Sequence, residues 1–327
     1  MKRISVLVLV LMLSICAFSQ SKLKVFYGRV DSVLREKYER VTYDTQYISR
    51  PEKRLLLRVR GNLSGNSFRY KNVQDENDTH AHLSTSVRGT VSLGASYMGI
   101  SAALSINPGK LSGRNKDYEL NISASSNRYI LDFSYQRSNT LSGDINTLEG
   151  TNYIDKEFVK LNQISFTGIY IFNRRHFSYP PAFSQSFIQK RSAGSWLAGC
   201  TFMGGNISTT DGAPEGFPDL SLKVRNVGIG GGYGYNLVYR KWLFHLSAMP
   251  TIIVYNYSKL RLNDDVRHAY THFPDMIING RAAIIYNFSS RYFVGTTLVV
   301  NTSALGNFDH YTWHNKWNGR AFFGFRL

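Results

Sequence analysis

Trp317-Asn318-Gly319-Arg320-Ala321-Phe322-Phe323-Gly324-Phe325-Arg326-Leu327 is an alternating, aromatic-rich stretch that ends on the C-terminus itself. With period 2, Phe323, Phe325 and Leu327 share one face of a strand while Arg320 projects from the other. A chain that finishes inside a strand, after many similar strands and behind an apolar leader, predicts an all-β fold. The expected architecture is a transmembrane outer-membrane antiparallel β-barrel of about 12 strands, in which this stretch is the last strand. Its apolar face would meet the lipids and the barrel-insertion machinery.

The leader sets the compartment. Met1-Lys2-Arg3 is a basic start, Ile4 to Ile15 an apolar core, and Ala17-Phe18-Ser19 carries small residues at the positions a signal peptidase reads, predicting cleavage after Ser19. The competing readings are a transmembrane anchor, for which the apolar run is short of ~20 residues, and a lipoprotein on Cys16. The expected organisation is a signal peptide over 1–19, a periplasmic segment over 20–51 and a barrel over 52–327. Val25, Phe26, Val30, Val33, Leu34 and Tyr38 recur near helical spacing within the second of these.

No later stretch is apolar for long enough to cross a bilayer as a helix, so an exported chain of this kind is periplasmic, secreted or a barrel. Mean hydropathy is −0.24 with 14% aromatic residues, as expected where one strand face is polar and the other meets lipid. Loss of the leader removes Cys16 and leaves Cys200 without an intramolecular partner. The 39 Lys and Arg against 22 Asp and Glu give +17, and losing Lys2 and Arg3 leaves +15. There is no zinc-finger spacing, basic helix or RNA-binding signature, so nucleic acid is not an expected partner. Lipopolysaccharide phosphates, carboxylated solutes and acidic peptidoglycan groups are.

Period-2 segments predict strands at about 53–66, 82–94, 97–107, 117–127, 129–139, 158–173, 191–206, 223–239, 242–259, 275–287, 291–303 and 316–327. Short links near 95–96, 127–128, 240–241 and 289–290 alternate with long polar ones near 67–81, 108–116, 140–157, 207–222, 260–274 and 304–315. Barrels alternate periplasmic turns and external loops in this way, and an even count puts both termini in the periplasm. The link from Asn173 to Lys190 breaks the rule: it lies on the short side and is long.

Leu55, Leu57, Val59 and Leu63 should face lipid, opposite Arg58, Arg60 and Asn62; Met98, Ile100, Ala102, Leu104 and Ile106 should do so in the third strand. Tyr129, Trp242, Tyr286, Tyr292 and Trp317 fit interfacial girdles, or core packing in a soluble periplasmic β-sandwich binding protein. Gly228-Ile229-Gly230-Gly231-Gly232-Tyr233-Gly234-Tyr235 superficially suggests a phosphate loop, but the strand pattern runs on to Tyr239 where a dinucleotide site needs a helix. Its glycines are expected to bend the strand or leave room in the lumen.

Candidate chemistry is sparse. Of the eight histidines, only His82 and His245 are expected inside strands. Outer-membrane phospholipases carry Ser and His on the lipid-facing wall, whereas His245 shares a lumenal face with Ser247, and no Asn-His-Ser arrangement is evident. His268 and His272, like His310 and His314, fall in expected loops, so no metal site and no cofactor are expected. The charge pattern says more. Arg58, Arg60, Arg88, Arg281 and Arg320 are expected to project inward, opposite Glu119 and Asp132. Such a wall selects anionic solutes by its field, or forms a salt-bridged plug, because unpaired charges in a narrow lumen are costly.

Two stretches carry a resemblance. Tyr43-Asp44-Thr45-Gln46-Tyr47-Ile48, and Phe177-Ser178-Tyr179-Pro180-Pro181-Ala182-Phe183-Ser184-Gln185 continuing through Gln189-Lys190-Arg191-Ser192-Ala193-Gly194-Ser195, resemble a family of exported proteins from Bacteroidetes-type bacteria, domain-of-unknown-function family 4421. The resemblance extends over nearly all of the mature chain and brings no catalytic residue with it. It singles out the anomalous turn, in which Phe177, Tyr179, Pro180, Pro181, Phe183, Gln185 and Gln189 either plug the barrel floor or dock a periplasmic partner beside Asp44, Thr45 and Tyr47. A structural or transport barrel, not an enzyme, is the expected class, with a lipase-like envelope hydrolase as the rival.

Overall fold

A computed structural model describes residues 40–72, 80–97, 100–111, 117–147, 150–215, 217, 219–262, 265–269, 275–307 and 310–327, with Ser32 and Glu36 as isolated positions. The leader and its cleavage site, nearly all of the helical pattern before residue 40 and the side chains of 98–106 lie outside the described residues. The chain divides into two compact units, Met1–Thr42 and Tyr43–Leu327, and the second holds the sheet.

In chain order the strands are β1 (Ile48–Ser49), β2 (Leu55–Asn72), β3 (His80–Ser84), β4 (Arg88–Tyr97), β5 (Ile100–Ile106), β6 (Tyr118–Ser125), β7 (Tyr129–Ser138), β8 (Ser142–Thr147), β9 (Gly150–Ile154), β10 (Val159–Ile171), β11 (Ile188–Gln189), β12 (Ala193–Thr209), β13 (Leu220–Tyr239), β14 (Trp242–Leu262), β15 (Asp265–Ala269), β16 (Met276–Asn287), β17 (Tyr292–Asn307) and β18 (His310–Arg326). Single helical turns at Pro108–Leu111 and Pro180–Phe183 complete the regular structure among the described residues.

The main path is antiparallel throughout and runs β5-β4-β2-β18-β17-β16-β14-β13-β12-β10-β7-β6. First and last strands of the wall pair along their whole length, from His310 opposite Asn72 to Arg326 opposite Leu56. No ladder joins β5 to β6 among the described residues, yet side chains stitch the two ends of the path together across the concave face. Ser64 Oγ donates to Glu119 Oε2 (2.9 Å), Asn66 Nδ2 to Gln136 Oε1 (3.0 Å) and Lys316 Nζ to Ser134 Oγ (2.6 Å). A flat sheet would hold these strands far apart, so the sheet is curled into a barrel-type wall.

Alternation sets the two faces. Leu57 (41% exposed) and Val59 (50%) point outward while Arg58 between them is 4% exposed, and on β18 and the residue after it Phe323 and Leu327 point outward and Phe322 and Arg326 inward. So extensive an exposed apolar face is foreign to soluble proteins and suits a wall that meets lipid. Aromatic rings line one rim of that face: Tyr129 beside Tyr170, Trp196 beside Tyr233, Trp242 beside Tyr286, and Tyr292 beside Phe325, with centroids 4.6–5.5 Å apart. Trp317 is not at a strand end. It lies within β18, its indole over Gly65.

Several expected loops are strands instead. The stretch 304–315 is paired through to Asn307 opposite His310, which puts His314 inside a strand. β3, β8 and β9 extend the wall beyond β2, and β15 folds back on β14, so His268 also lies in a strand. Each of these segments alternates well enough to continue a ladder once a neighbour offers an edge, and polar composition alone concealed it. The glycine run lies opposite Pro250 in β14, which has no amide hydrogen to give. A register shift between Val227 and Gly228 leaves Val254 bulged out of the pairing, the kind of irregularity that increases local twist in a sheet.

Candidate functional site

Both chain ends of the sheet unit and the short turns lie at one rim, where the Leu55 amide and carbonyl exchange hydrogen bonds with Leu327. The long turn 172–192 starts from this rim and folds inward. Proline at both leading positions sets the backbone angles of the Pro180–Phe183 turn without wasting amide donors. Gln185 ends it with a left-handed φ of 61°, its amide and that of Ser184 both reaching Pro180 O. Phe177, Tyr179 and Ala182 are 0–2% exposed. Phe177 and Tyr179 pack with Ile130, Ile169, Leu197 and Met249, and Ala182 with Leu56, Leu243, Ile285 and Phe293. Wall strands from both halves of the path therefore surround this segment, which fills the wall's inner face at the short-turn rim.

Polar side chains fix it there. Gln189 is the hub: its Oε1 accepts from the Ser178 amide (3.0 Å) and Asn236 Nδ2 (3.1 Å), and its Nε2 donates to His176 O (2.6 Å) and Arg191 O (2.9 Å). Asn236 Nδ2 also donates to Ser178 O (2.6 Å). The N-terminal motif seals the outside of the same structure. β1 pairs with β11, the Asp44 amide donates to Arg175 O (2.9 Å), Lys190 Nζ donates to Thr45 O (3.0 Å), and the Tyr47 ring lies 4.5 Å from that of His176. Asp44 Oδ2 is 3.4 Å from His176 Nε2.

Asn236, His245 and Ser247 form the Asn-His-Ser arrangement that strand reading alone did not reveal. Asn236 Oδ1 is 2.7 Å from His245 Nδ1, and His245 Nε2 is 3.0 Å from Ser247 Oγ. Because the amide oxygen can only accept, Nδ1 carries the hydrogen and Nε2 accepts from the serine. Asn236 and His245 are paired neighbours on β13 and β14, a relation that no single-strand pattern exposes. Rings of Tyr179, Phe183 and Phe177 close over the imidazole at 5.3, 5.2 and 6.0 Å.

The expected charge wall divides into two paired arginines and three without carboxylates. Arg88 is ion-paired with Glu119, which also accepts from Ser64. Arg281 Nη1 lies 2.6 Å from Asp132 Oδ2 and donates to the Tyr179 hydroxyl at 2.7 Å. Burial raises the Tyr179 phenol above the usual tyrosine range, with Arg281 opposing, so it stays protonated in the wall's interior. Arg58 Nη1 donates to the Phe183 carbonyl (3.2 Å), and Arg320 Nε to Asn318 Oδ1 (2.8 Å). Arg60, Arg58 and Arg320 pair with no carboxylate among the described residues. Sequence reading missed Arg326, whose Nη2 reaches Asn287 Oδ1 (3.2 Å) and Gln185 Oε1 (3.5 Å) of the long turn; its even spacing from Arg320 was the available signal. No group of three or more acidic, histidine or cysteine ligands occurs among the described residues.

A family model described as "Domain of unknown function (DUF4421)" matches residues 42–327. No curated protein matches the chain. Among solved structures, the outer membrane protease OmpT from Escherichia coli is similar over 89% of this chain and 100% of its own, at 8% identity and a TM-score of 0.45. The translocator domain of the autotransporter NalP from Neisseria meningitidis covers 94% and 97% at 9% identity and 0.32. The outer membrane protein OprG from Pseudomonas aeruginosa covers 84% and 97% at 11% and 0.29.

Proposed function

Since the chain belongs to the DUF4421 family, whose description assigns no activity, we propose its role from the wall and its plug: an outer-membrane barrel of the transport or structural class, closed at its periplasmic floor by residues 173–190 and favouring anionic solutes. The observation that carries this reading is the burial of Phe177, Tyr179 and Ala182 among wall residues, together with the Arg281 to Tyr179 hydrogen bond. A rim filled in this way does not leave a permanent aqueous path, while the arginines on the inner face supply a field for anions.

Planar-bilayer recording tests it. The intact protein is expected to show few or no channel openings, and the Phe177→Ala, Tyr179→Ala double variant to open channels that prefer anions. That preference is expected to fall when Arg58→Ala or Arg281→Ala is added. A double variant that is correctly folded and silent would sink the transport reading.

The Asn236-His245-Ser247 chain favours a second reading, an envelope hydrolase, since a serine hydrogen-bonded to an oriented imidazole is the arrangement of an activated nucleophile. Against it, Asn236 also holds the plug backbone and aromatic rings cover the imidazole. Lipid or ester turnover by the purified protein that disappears in Ser247→Ala would establish it.

A further inference from the structure

The inner face carries an imbalance of charge directly beside the plug. In the β2–β18 ladder Arg60 faces Phe322 and Asn62 faces Arg320, so Arg60 and Arg320 are diagonal neighbours on one face, with Cβ atoms about 7 Å apart. Arg58 is two residues from Arg60 on that face. The three guanidinium groups lie within electrostatic reach of one another, and Arg320 is also within reach of Asp132, Tyr179 and Arg281. Arg281 and Arg320 thus share the Asp132 carboxylate, while Arg58 and Arg60 face no carboxylate among the described residues, so four guanidinium groups are gathered where one carboxylate offsets one charge.

Two of these side chains have atoms to spare. Arg58 Nε and Arg60 Nε are buried and hydrogen-bonded to nothing, Arg58 being 4% exposed. Arg60 and Arg320 are only partly buried and share the inward face with Arg58. Like charges gathered in a low-dielectric interior repel one another and lose hydration. Folding tolerates this where a ligand supplies the missing charge.

We infer that Arg60 and Arg320, with Arg58 behind them, form a binding site for a phosphate-type dianion, either inorganic phosphate or the phosphoryl group of a small solute. Planar guanidinium forks offer parallel donor pairs matched to such oxygens. A tetrahedral dianion accepts from donors converging from two strands, whereas a carboxylate is planar and carries half the charge. Asp132 bounds the site on the far side, held by Arg281, and as a fixed negative charge it weakens anion binding. The inference rests on the reading of this face as an anion-favouring lumen and names what occupies it.

The test is equilibrium binding to the full-length refolded protein in detergent, which needs no conductance and so can fail or succeed independently of the transport reading. Inorganic phosphate is titrated calorimetrically in chloride buffer at constant ionic strength, with thermal melting in parallel. Saturable binding is expected, together with a rise in Tm. The Arg60→Gln, Arg320→Gln double variant is expected to bind at least tenfold more weakly while keeping heat-modifiable migration, and Asp132→Asn to bind several-fold more tightly. If the double variant does not fold, Arg60→Gln alone carries the comparison. Binding unchanged by these substitutions, a response to phosphate no larger than to chloride, or binding of succinate without phosphate would each overturn the assignment.

Discussion

At the scale of single residues, the buried turn 173–190 is held by hydrogen bonds as well as by its rings. Gln189 serves five polar groups at once, two of them through Oε1. Gln189→Leu keeps the volume and strands the Ser178 amide and one N–H of the Asn236 side chain, whose other N–H keeps its bond to Ser178 O. Each stranded group costs about 1–3 kcal/mol, so a loss of roughly 2–6 kcal/mol is expected in urea unfolding from detergent micelles. A loss under about 0.5 kcal/mol would mean that water replaces the side chain and that the hub is not buried as described. Gln189 was singled out from the sequence by its setting in the anomalous turn. Its partner Asn236 was not, because it lies 47 residues away on another strand and only the folded turn brings the two together.

At the scale of elements, strand and plug are fitted to each other through Gly234. Its inward face meets the Phe177 ring, and a Cβ there would stand 3.2 Å from that ring and 3.2 Å from Ser247 Cβ. The glycine-rich stretch of β13 was legible in the sequence as a place where a strand bends or leaves room, and Gly234 shows what the room is for. Gly232 has a different reason: a Cβ would run into the Ala248 carbonyl of the neighbouring strand, so backbone closeness rather than lumen space excludes a side chain. Gly234→Leu is therefore expected to push Phe177 out while the β12–β13–β14 ladders persist. The measurement is single-channel recording beside heat-modifiable migration: openings from a fully folded variant are expected. A folded, silent Gly234→Leu protein would show that Phe177 does not set the closure.

At the scale of the whole molecule, what was legible and what was hidden follow from range. Strand faces come from a period of two residues, and the end strand shows its faces without help from any partner: Phe323 and Leu327 lie outside and Arg320 within, as the alternation says. Whether the long turn 173–190 docks a partner or fills the floor depends on contacts with β2, β7, β10, β12, β14, β16 and β17, which no local pattern encodes. This difference makes a global prediction. If the turn is part of the interior, its amides open only when the wall opens, and hydrogen exchange across 177–189 should be as slow as across β14. The exposed loop 210–215 has the same kind of turn-rich backbone without the surrounding strands and should exchange orders of magnitude faster. Exchange in 177–189 as fast as in 210–215 would place the turn outside the wall, and the closed floor and the docking of Phe177 on Gly234 would both fall with it.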